Sequence, residues 1–288
     1  MQNVSVIVPV YNAEKIISEC IESILALDYP KDALEVIAVD NGSSDGTAAV
    51  LSRYRGRVRI LGEKKRGAAA ARNRGLVCAR GDIVALTDAD CLVDRHWLSN
   101  LIAPLVENGI GIVGGKILAQ LPCSAIEAFG ERIHDHQHAI ETFKPGYVIT
   151  MNWAARLPQV NELGLFDETL IRGQDVDFSW RVLQEKYRLV YEPSAIVYHR
   201  NERTLGGLFH EGFTHGYHGV RVHKKHAAFL IQAGGTGQRP HGYREILSGL
   251  AAYARGRATV ASRCSTMFDA GKKLGKVFGS VRWLYPEF

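Results

Sequence analysis

Two carboxylates that follow an apolar segment are the first residues in this sequence suited to chemistry. Asp88-Ala89-Asp90 comes directly after residues 83–87, whose apolar character predicts a buried strand. Carboxylate oxygens are the ligands that hard divalent cations prefer, and a cation held there would neutralise charge on a departing nucleotide diphosphate. A solvated acidic loop is the alternative, but the position at a strand end favours a site for metal and diphosphate.

A third carboxylate, Asp40, ends a second predicted strand at residues 35–39. At the end of a strand, it could accept a hydrogen bond from a nucleotide base. The residues that follow are rich in Ser, Asp and Thr, which prefer helix N-caps, so Asp40 could instead belong to a capping cluster. We expect Asp45 or Ser44 to cap the next helix, and Asp40 to bind the nucleotide.

The segment 67–75 combines small residues with Arg72. Small side chains let a ligand approach the backbone closely, and a guanidinium binds phosphate or a base edge well. A tightly packed alanine helix with an exposed arginine is the structural alternative. The two interpretations are compatible, so Arg72 is a candidate for nucleotide binding.

Asp175 is the candidate general base. It falls at the start of a predicted helix at 176–185, where the positive end of the helix stabilises a carboxylate. It could take a proton from an acceptor hydroxyl, or be a helix-terminal charge with no other role. His199 follows the apolar run 196–198 and could complete a metal site as a neutral imidazole, although an isolated histidine is more often structural.

A second histidine group, His134, His136 and His138, has alternate spacing on a predicted helix at 124–138. Because an α-helix repeats every ~3.6 residues, this spacing does not bring the three side chains together. We interpret them as surface residues rather than as metal ligands.

Alternating strands and helices are predicted around the acidic residues. The predicted strands are 4–8, 35–39, 58–61, 83–87 and 110–113, and the predicted helices are 13–27, 44–54, 68–79 and 97–107. Short connections between them predict an α/β fold with a doubly wound, mostly parallel sheet flanked by helices. Ligands bind beyond the carboxyl ends of the strands in such sheets, and Asp40, Asp88 and Asp90 lie at those ends.

The second half of the chain is less regular. We predict a strand at 147–155, short strands at 189–191 and 196–198, and a mainly helical region from residue 205 that is interrupted at 234–240. This pattern predicts an α/β domain of residues 1–204 and a helical C-terminal extension of residues 205–288.

Basic residues are concentrated late in the chain. The 288 residues carry a formal net charge of +5, and the one acid between Arg255 and Arg282 is Asp269. Such a region could contact anionic lipid or a phosphate-bearing acceptor, or be a solvated helix face. The overall charge is too modest, and the strand ends are too acidic, for a nucleic-acid-binding protein.

The 5 cysteines are odd in number, widely spaced and without a C-x-x-C pair. They indicate reduced thiols in a cytoplasmic protein rather than a disulfide framework. The N-terminus lacks the pattern of a signal peptide, and no stretch approaches the ~20 apolar residues of a membrane span. We therefore expect a cytoplasmic protein that could sit at the inner face of the cell membrane.

Taken together, these motifs resemble those of the family 2 glycosyltransferases, which have the GT-A fold. The similarity extends from Val4 to about Arg200, and the order and spacing of its pieces are jointly specific. The pieces are Val8-Pro9-Val10-Tyr11-Asn12, Val39-Asp40-Asn41-Gly42-Ser43-Ser44-Asp45-Gly46-Thr47, residues 67–75, Asp88-Ala89-Asp90, Gly164-Leu165-Phe166-Asp167-Glu168 and Gln174-Asp175.

The resemblance implies roles for the matching residues. The donor would be a nucleotide sugar, with UDP as the expected nucleotide, bound by Pro9, Tyr11, Asn12, Asp40, Arg72, Asp88 and Ala89. Asp90 and His199 would bind Mg²⁺ or Mn²⁺, and Asp175 would be the catalytic base. On the acceptor side, the resemblance implies contacts from Asn152, Trp153, Arg156 and Gln174.

The acceptor would be a saccharide, a lipid-linked compound or another hydroxyl compound. The family usually has Glu-Asp where this chain has Gln174-Asp175, so the base is kept and the adjacent carboxylate is lost. Residues 1–204 would form the nucleotide-sugar-binding and catalytic domain. Residues 205–288 would contact the acceptor, a membrane surface or a second subunit of a homodimer.

The implied reaction is a single displacement. Asp175 would deprotonate the acceptor hydroxyl, which attacks the sugar from the face opposite the leaving diphosphate and inverts the anomeric centre. The metal on Asp90 would take up the developing negative charge. Processive members of the family carry Gln-x-x-Arg-Trp, but Gly279 precedes Arg282-Trp283 here at the Gln position. This difference predicts an enzyme that adds one sugar.

Two other functions compete with sugar transfer. A nucleotidyltransferase also holds a metal on an α/β sheet, but would carry a Gly-rich, basic phosphate loop after the first strand, where this chain has Pro9-Val10-Tyr11-Asn12. A non-catalytic nucleotide-sugar sensor would keep the fold. Hydrolysis or transfer of the donor distinguishes an enzyme from a sensor.

Overall fold

The computed structural model describes residues 2–234 and 243–286. Its strands are β1 (Val4–Val10), β2 (Leu34–Asp40), β3 (Arg59–Gly62), β4 (Ile83–Leu86), β5 (Cys91–Val93), β6 (Ile110–Ala119), β7 (Trp153–Arg156) and β8 (Arg188–His199). Its α-helices are α1 (Ile17–Leu25), α2 (Thr47–Ser52), α3 (Ala68–Cys78), α4 (Trp97–Ile102), α5 (Ala125–Ile133), α6 (Leu157–Glu162), α7 (Gln174–Gln184), α8 (Leu205–Lys225), α9 (Ala227–Gln232), α10 (Tyr243–Ala254) and α11 (Val260–Trp283).

The strands form an 8-stranded sheet in the order β3-β2-β1-β4-β7-β6-β8-β5. Strands β3, β2, β1 and β4 run parallel, as do β6 and β8, whereas β7 is antiparallel to both neighbours and β5 is antiparallel to β8. The predicted doubly wound, mostly parallel sheet is therefore confirmed. Because β1, β2, β4 and β8 point the same way, their carboxyl ends meet at one side of the sheet, which we call the carboxyl edge.

Successive side chains of the central strands enter cores on opposite faces of the sheet. In β1, Val6 and Val8 pack in one core with Ile21 of α1, while Ile7 packs in the other core with Ile37 of β2. Helices cover both faces, so these strands are apolar at nearly every position, which is the pattern that their sequence shows.

The described chain forms two compact units. The first contains the residues up to Gln120 with 135–142 and 146–199, and the second contains 121–134, 143–145 and the described residues from Arg200 onward. The second unit therefore includes α5, which precedes the boundary expected at residue 204. The physical reason is an apolar cluster in which Phe129 of α5 packs with Leu208 and Cys264.

Within the second unit, α8 and α11 approach each other closely enough for their main chains to touch. A Cβ at Gly216 would lie 2.0 Å from the carbonyl oxygen of Lys272, and one at Gly275 would lie 2.1 Å from that of Phe213. Any larger side chain at these positions would push the two helices apart. Glycine therefore sets the spacing of this pair.

Residues 147–155 were predicted to form a strand, but the strand, β7, begins only at Trp153. The amide of Val148 donates to Ser179 Oγ at 3.0 Å, and the amide of Ile149 donates to His136 Nε2 at 2.7 Å. Because side chains accept these hydrogen bonds, the amides cannot pair with a neighbouring strand.

Other element boundaries also differ from the prediction. The short strands expected at 189–191 and 196–198 are both part of β8, whose pairing with β6 shifts register between Gly115 and Lys116. The helix expected at 124–138 ends at Ile133, and β5 was not predicted. The interruption expected at 234–240 lies, after Gly234, outside the described residues.

The histidines predicted at the surface include two that are buried. His134 and His136 are 8% and 2% exposed. His136 Nδ1 lies 2.7 Å from the carbonyl oxygen of Gly115, while its Nε2 accepts the amide of Ile149. The prediction was wrong for these two side chains: both ring nitrogens of His136 have polar partners within the fold, and His134 Nε2 lies 3.4 Å from Glu211 Oε1.

All five cysteines are free thiols. No helix within residues 2–234 or 243–286 combines the length and apolar character needed to cross a bilayer.

Gly115→Ala is expected to destabilise the fold by about 2 kcal/mol, because overpacking a well-filled core carries this order of cost. A Cβ at Gly115 would lie 2.1 Å from the carbonyl oxygen of Ala195. Urea unfolding measures the change. Gly62→Ala is the matched control, since no atom of the described residues lies within 4 Å of the added Cβ. Equal stability of the two variants would contradict the packing argument.

Candidate active site

A cavity of about 640 Å³ opens at the carboxyl edge of the sheet, and this volume suits a small-molecule ligand. The predicted site residues that line it are Pro9, Tyr11, Arg72, Asp88, Ala89 and Asp90. Residues that were not predicted as site residues also line it, among them Ala13, Ile16, Asn41, Arg66, Gly67 and Ala68. The structure thus brings together the first strand end, the Asp88–Asp90 segment and the start of α3.

Arg72 joins α3 to the end of β4. Its Nη2 lies 2.7 Å from Asp88 Oδ1, and the residue is 5% exposed. Its Nε has no hydrogen-bond partner among the described residues. Because an unsatisfied buried donor is costly, this guanidinium is suited to a ligand that brings an acceptor oxygen. The alternative of an exposed arginine on an alanine helix is wrong.

Tyr11 and Arg66 form a flat surface at the cavity. Tyr11 is 52% exposed, and Arg66 Cζ lies 4.5 Å from the centroid of its ring. Such a pair can stack against a planar ligand such as a nucleotide base. Arg66 was missed by the sequence analysis, and its position directly before Gly67 at the start of α3 is the one signal that could have indicated it.

Polar side chains tie the loops at the carboxyl ends of β1 and β2 together. Asn12 adopts a φ of 48°. Its side-chain Oδ1 accepts a hydrogen bond from the Ser44 amide at 2.8 Å, and its backbone amide donates one to Ser43 Oγ at 3.0 Å. Asp40 Oδ1 accepts the Ser43 amide at 3.0 Å. Asn12 and Asp40 therefore shape these loops, while Asn41, the next residue, lines the cavity.

Asp90 and His199 lie side by side, 3.6 Å apart between Oδ2 and Nε2. The pairing of β5 with β8, which sets Cys91 opposite His199, brings them together. Burial would raise the pKa of Asp90, but the adjacent His199 outweighs it and lowers the pKa. The Asp90 side chain is 41% exposed, so an ion can reach it.

The chemistry of this pair fits a divalent cation that is shared with a ligand. No group of three His, Cys, Asp or Glu side chains able to hold a metal occurs in the part of the chain that the structure describes. A cation bound by Asp90 and His199 would therefore need further oxygens from a diphosphate or from water, as is usual for Mg²⁺.

Two buried thiols support the Asp88–Asp90 segment from the core side. Cys20 Sγ lies 3.5 Å from the carbonyl oxygen of Asp88, and Cys91 Sγ lies 3.7 Å from Asp90 Oδ1. Burial, followed by the charges of Asp90 and Asp88, raises the pKa of both thiols. Both groups are therefore neutral beneath the carboxylates.

Asp175 lies in the first turn of α7, after Gly173, which adopts a left-handed φ of 80°. Burial raises the pKa of its carboxyl, and the charge of Asp88 adds to that shift, whereas the Val176 amide and Arg72 oppose it. The charges of Arg72 and Asp88 therefore act on Asp175, although Asp175 is not among the residues that line the cavity. The raised pKa makes it a stronger base than an exposed aspartate.

A loop at residues 163–168, which we call the brace loop, links α3 to α7. Asn73 of α3 donates through Nδ2 to the Phe166 carbonyl at 2.9 Å and to Glu168 at 2.8 Å, and its Oδ1 accepts the Phe166 amide at 2.9 Å. Glu168 also pairs with Lys65 at 2.6 Å. The brace loop therefore fixes the segment that carries Arg66.

Arg181 attaches the other side of the brace loop to α7. Its Nη1 donates to the carbonyls of Leu163 and Gly164 at 2.5 and 2.7 Å, and its Nη2 donates to that of Leu165 at 2.9 Å. Its Nε pairs with the buried Asp177 at 3.2 Å. The helix of the candidate base and the helix of Arg72 are thus held at a fixed separation.

Two of the predicted acceptor residues have structural contacts in the core. Asn152 Oδ1 accepts Trp97 Nε1 at 2.9 Å, and its Nδ2 donates to the carbonyls of Lys116 and Ala195 at 2.9 Å each. Trp153 is 0% exposed. Neither side chain is directed to a ligand in this arrangement.

The other two predicted acceptor residues also bind main-chain carbonyls. In the sheet, Arg156 pairs with Ile83 at the start of β4, so it lies at the edge opposite the cavity. Its guanidinium donates to the carbonyls of Leu105, Glu107 and Ile110. Gln174 Nε2 donates to the carbonyls of Leu170 and Ile171 at 2.8 Å each. The structure does not bring Arg156 to the site.

Sequence comparison gives a family match over more than half of the chain. Residues 5–156 match the model of Glycosyl transferase family 2. The glycosyltransferase AglE of Haloferax volcanii is 30% identical over 224 residues, which are 76% of this chain and 73% of that protein. The pre-mycofactocin glycosyltransferase of Mycobacterium tuberculosis is 28% identical over 218 residues, or 71% of this chain and 44% of that protein.

Solved structures share the fold. The mannosyltransferase PcManGT from Pyrobaculum calidifontis, in complex with GDP-Man and Mn²⁺, has a TM-score of 0.71 at 23% identity, over 96% of this chain and 87% of that chain. S. aureus TarS 1-349 in complex with UDP has a TM-score of 0.56 at 18% identity, over 97% of this chain and 91% of that chain. The predicted GT-A-type fold is thereby confirmed.

Asp175→Asn is expected to raise the unfolding temperature at about pH 8. The pKa of Asp175 is raised in the folded state, so the folded protein loses stability as the pH rises through that pKa. The neutral amide removes this loss, and the difference should narrow as the pH falls and the carboxyl becomes protonated in the folded wild type. Thermal unfolding followed by circular dichroism across this pH range measures the difference.

Asp177→Asn is the matched control, because Asp177 lies two residues further along α7 and pairs with Arg181. Removing one partner of a buried ion pair should destabilise the fold by about 3 kcal/mol. A lower unfolding temperature for both variants at about pH 8 would contradict the raised pKa of Asp175.

Proposed function

Because the chain belongs to glycosyl transferase family 2, we propose that it transfers a single sugar from a nucleoside-diphosphate sugar to an acceptor hydroxyl, with inversion of the anomeric carbon. The chain is an enzyme, a glycosyltransferase, so the nucleotidyltransferase alternative is set aside. The observation that carries the proposal is one cavity lined by Arg72, Asp88 and Asp90, in which Arg72 pairs with Asp88. The charges of Arg72 and Asp88 also act on Asp175.

The donor is proposed to lie in the cavity with its base against Tyr11 and Arg66. The exposed ring and the guanidinium above it offer a stacking surface, and Arg72 offers its unused Nε to an acceptor oxygen of the nucleotide. The PcManGT complex contains GDP-Man and the TarS complex contains UDP. UDP is our expected nucleotide, and GDP is the competitor that an experiment should include.

Asp90 and His199 are proposed to hold Mg²⁺ or Mn²⁺ together with the donor diphosphate. Support comes from their 3.6 Å separation and from the Mn²⁺ in the PcManGT complex. The lowered pKa of Asp90 keeps its carboxylate ionised at neutral pH. When bound, the cation would neutralise negative charge on the diphosphate.

Asp175 is proposed to take the proton from the acceptor hydroxyl. A general base works best when its pKa approaches the working pH, and burial moves the pKa of Asp175 in that direction. The oxygen that loses the proton then forms the bond to the sugar, while the bond to the diphosphate breaks on the opposite face. The brace loop supports this geometry, because it fixes α7 relative to α3.

The acceptor is proposed to be a hydroxyl of a saccharide or of a lipid-linked compound. Gln174 stands beside the base, where the family usually has a glutamate, and its amide is engaged by main-chain carbonyls. The acceptor is therefore bound beside Asp175 without a second carboxylate at this position.

Hydrolysis of UDP- and GDP-sugars, with and without Mg²⁺ or Mn²⁺, tests the proposed donor and cation. We expect metal-dependent release of the nucleoside diphosphate from one donor class. In calorimetry, Asp90→Ala should weaken metal-dependent donor binding by at least about tenfold, because it removes a charged ligand. Release that does not depend on metal in the wild type would contradict the cation site, and release from neither donor class would contradict the proposed UDP or GDP donor.

Asp175→Asn should lower the rate of transfer by about 10²–10⁴-fold while donor affinity stays unchanged. The wild-type rate should also fall as the pH drops through the raised pKa of Asp175, because the protonated carboxyl cannot act as a base. Single-turnover kinetics and calorimetry measure the two quantities separately. An equal loss of donor affinity would show that Asp175 binds the donor instead.

A further inference from the structure

The charge of the chain is divided unevenly between residues 1–199 and residues 200–288. Residues 200–288 contain 14 of the 35 Lys and Arg residues but five of the 30 Asp and Glu residues. The stretches 212–244 and 270–286 contain no acid at all. A cationic surplus of this size is a sequence feature of segments that bind an anionic partner.

Apolar side chains are exposed at the end of α11 within this cationic region. Phe278, Val281 and Leu284 are 55%, 72% and 85% exposed. Phe278 and Val281 fall on one face of the helix, since they are three residues apart. Clustered exposed side chains of this kind mark an interaction surface more often than isolated ones do.

Basic side chains surround the same helix end. Arg221 Cζ and Arg282 Cζ lie 4.9 and 5.3 Å from the ring of Trp283, and Lys224 Nζ donates to the Trp283 carbonyl at 2.7 Å. We call this set the C-terminal patch: Phe278, Val281, Leu284, Arg221, Lys224, Arg282 and Trp283. Apolar and cationic groups therefore occur together within the second unit.

The packing of α11 holds the patch in a fixed orientation. Gly275 and Gly279 of α11 press against the main chain of Phe213 and Tyr217 in α8. Because that face of α11 is occupied by α8, the exposed face that carries Phe278 and Val281 cannot rotate inward.

We propose that the C-terminal patch binds the surface of a membrane that contains anionic lipids. The cations match the lipid phosphates in charge, the exposed apolar side chains can enter the layer below the headgroups, and a tryptophan between them suits the interface. A polyanion such as nucleic acid leaves the aliphatic side chains without a partner. A symmetric contact with a second copy places the basic side chains of both copies together, which opposes association.

The binding is on the membrane surface and not across it. No helix in residues 2–234 and 243–286 could span a bilayer, and the apolar side chains of the patch cover less than two helical turns. A few buried apolar groups combined with basic ones give reversible attachment that depends on lipid charge and on salt.

Sedimentation with vesicles tests the proposal without any nucleotide or acceptor, so its outcome is independent of the proposed transfer reaction. We expect the full chain to sediment with vesicles of phosphatidylcholine that contain about 30% phosphatidylglycerol, and not with phosphatidylcholine alone, at about 0.1 M salt. Arg282→Gln should lower the partition coefficient about fivefold, the effect of one basic residue at an anionic surface. Val281→Asp should lower it more than tenfold.

Val106→Asp is the matched control, because Val106 is 77% exposed on the first unit and the change adds the same charge. It should bind vesicles as the wild type does. Leu284→Asp lies beyond the end of α11 and repeats the test without disturbing the helix. Circular dichroism of each variant separates loss of binding from loss of folding.

Three results would overturn the proposal. The first is equal binding, or no binding, to neutral and anionic vesicles. The second is wild-type binding by both Val281→Asp and Leu284→Asp. The third is a dimer, detected by light scattering, that Val281→Asp dissociates, since the patch would then be covered by a second copy of the chain.

Discussion

The ion pair between Arg72 and Asp88 is the interaction on which the site depends. Asp88 and Asp90 line the same cavity, and the charge of Asp88 also acts on Asp175, so the repulsion among these carboxylates would oppose folding without a cation among them. Arg72 lies 2.7 Å from Asp88, and its charge also counteracts the raised pKa of Asp175. The helix that carries the arginine packs closely on β1, since a Cβ at Gly75 of α3 would lie 2.4 Å from Ile7 Cγ2.

The brace loop connects α3, the helix that carries Arg72, to α7, the helix that carries Asp175. Asn73 is the neighbour of Arg72 in α3 and makes hydrogen bonds to Phe166 and Glu168 at 2.8–2.9 Å. Arg181 binds the same loop from α7. The helices that carry Arg72 and Asp175 are thus connected by side chains with buried polar partners. Rigid second-layer contacts of this kind are what an enzyme needs to hold reacting groups at a fixed distance.

Local sequence patterns were sufficient where a residue's position depends on the nearest strand end. Asp88 and Asp90 follow β4 and line the cavity, as their position after an apolar segment predicted. Arg66 and Asn73 depend instead on partners that are distant in the chain, and nothing in their immediate neighbours indicates those partners. The same reason explains the error at 147–155, where Ser179 and His136 accept the amides that a strand would have used. Arg156 lies at the opposite edge, because the register of β7 pairs it with Ile83 at the start of β4.

The two buried thiols next to the Asp88–Asp90 segment, Cys20 and Cys91, affect where the protein is sensitive to oxidation. Oxidants and alkylating agents react with thiolates and not with thiols. Cys20 and Cys91 are kept protonated by burial and by the carboxylates above them, so the floor of the site is chemically inert. Cys123 is exposed in the second unit, and oxidative damage should begin there, well before it reaches the residues that support the carboxylates.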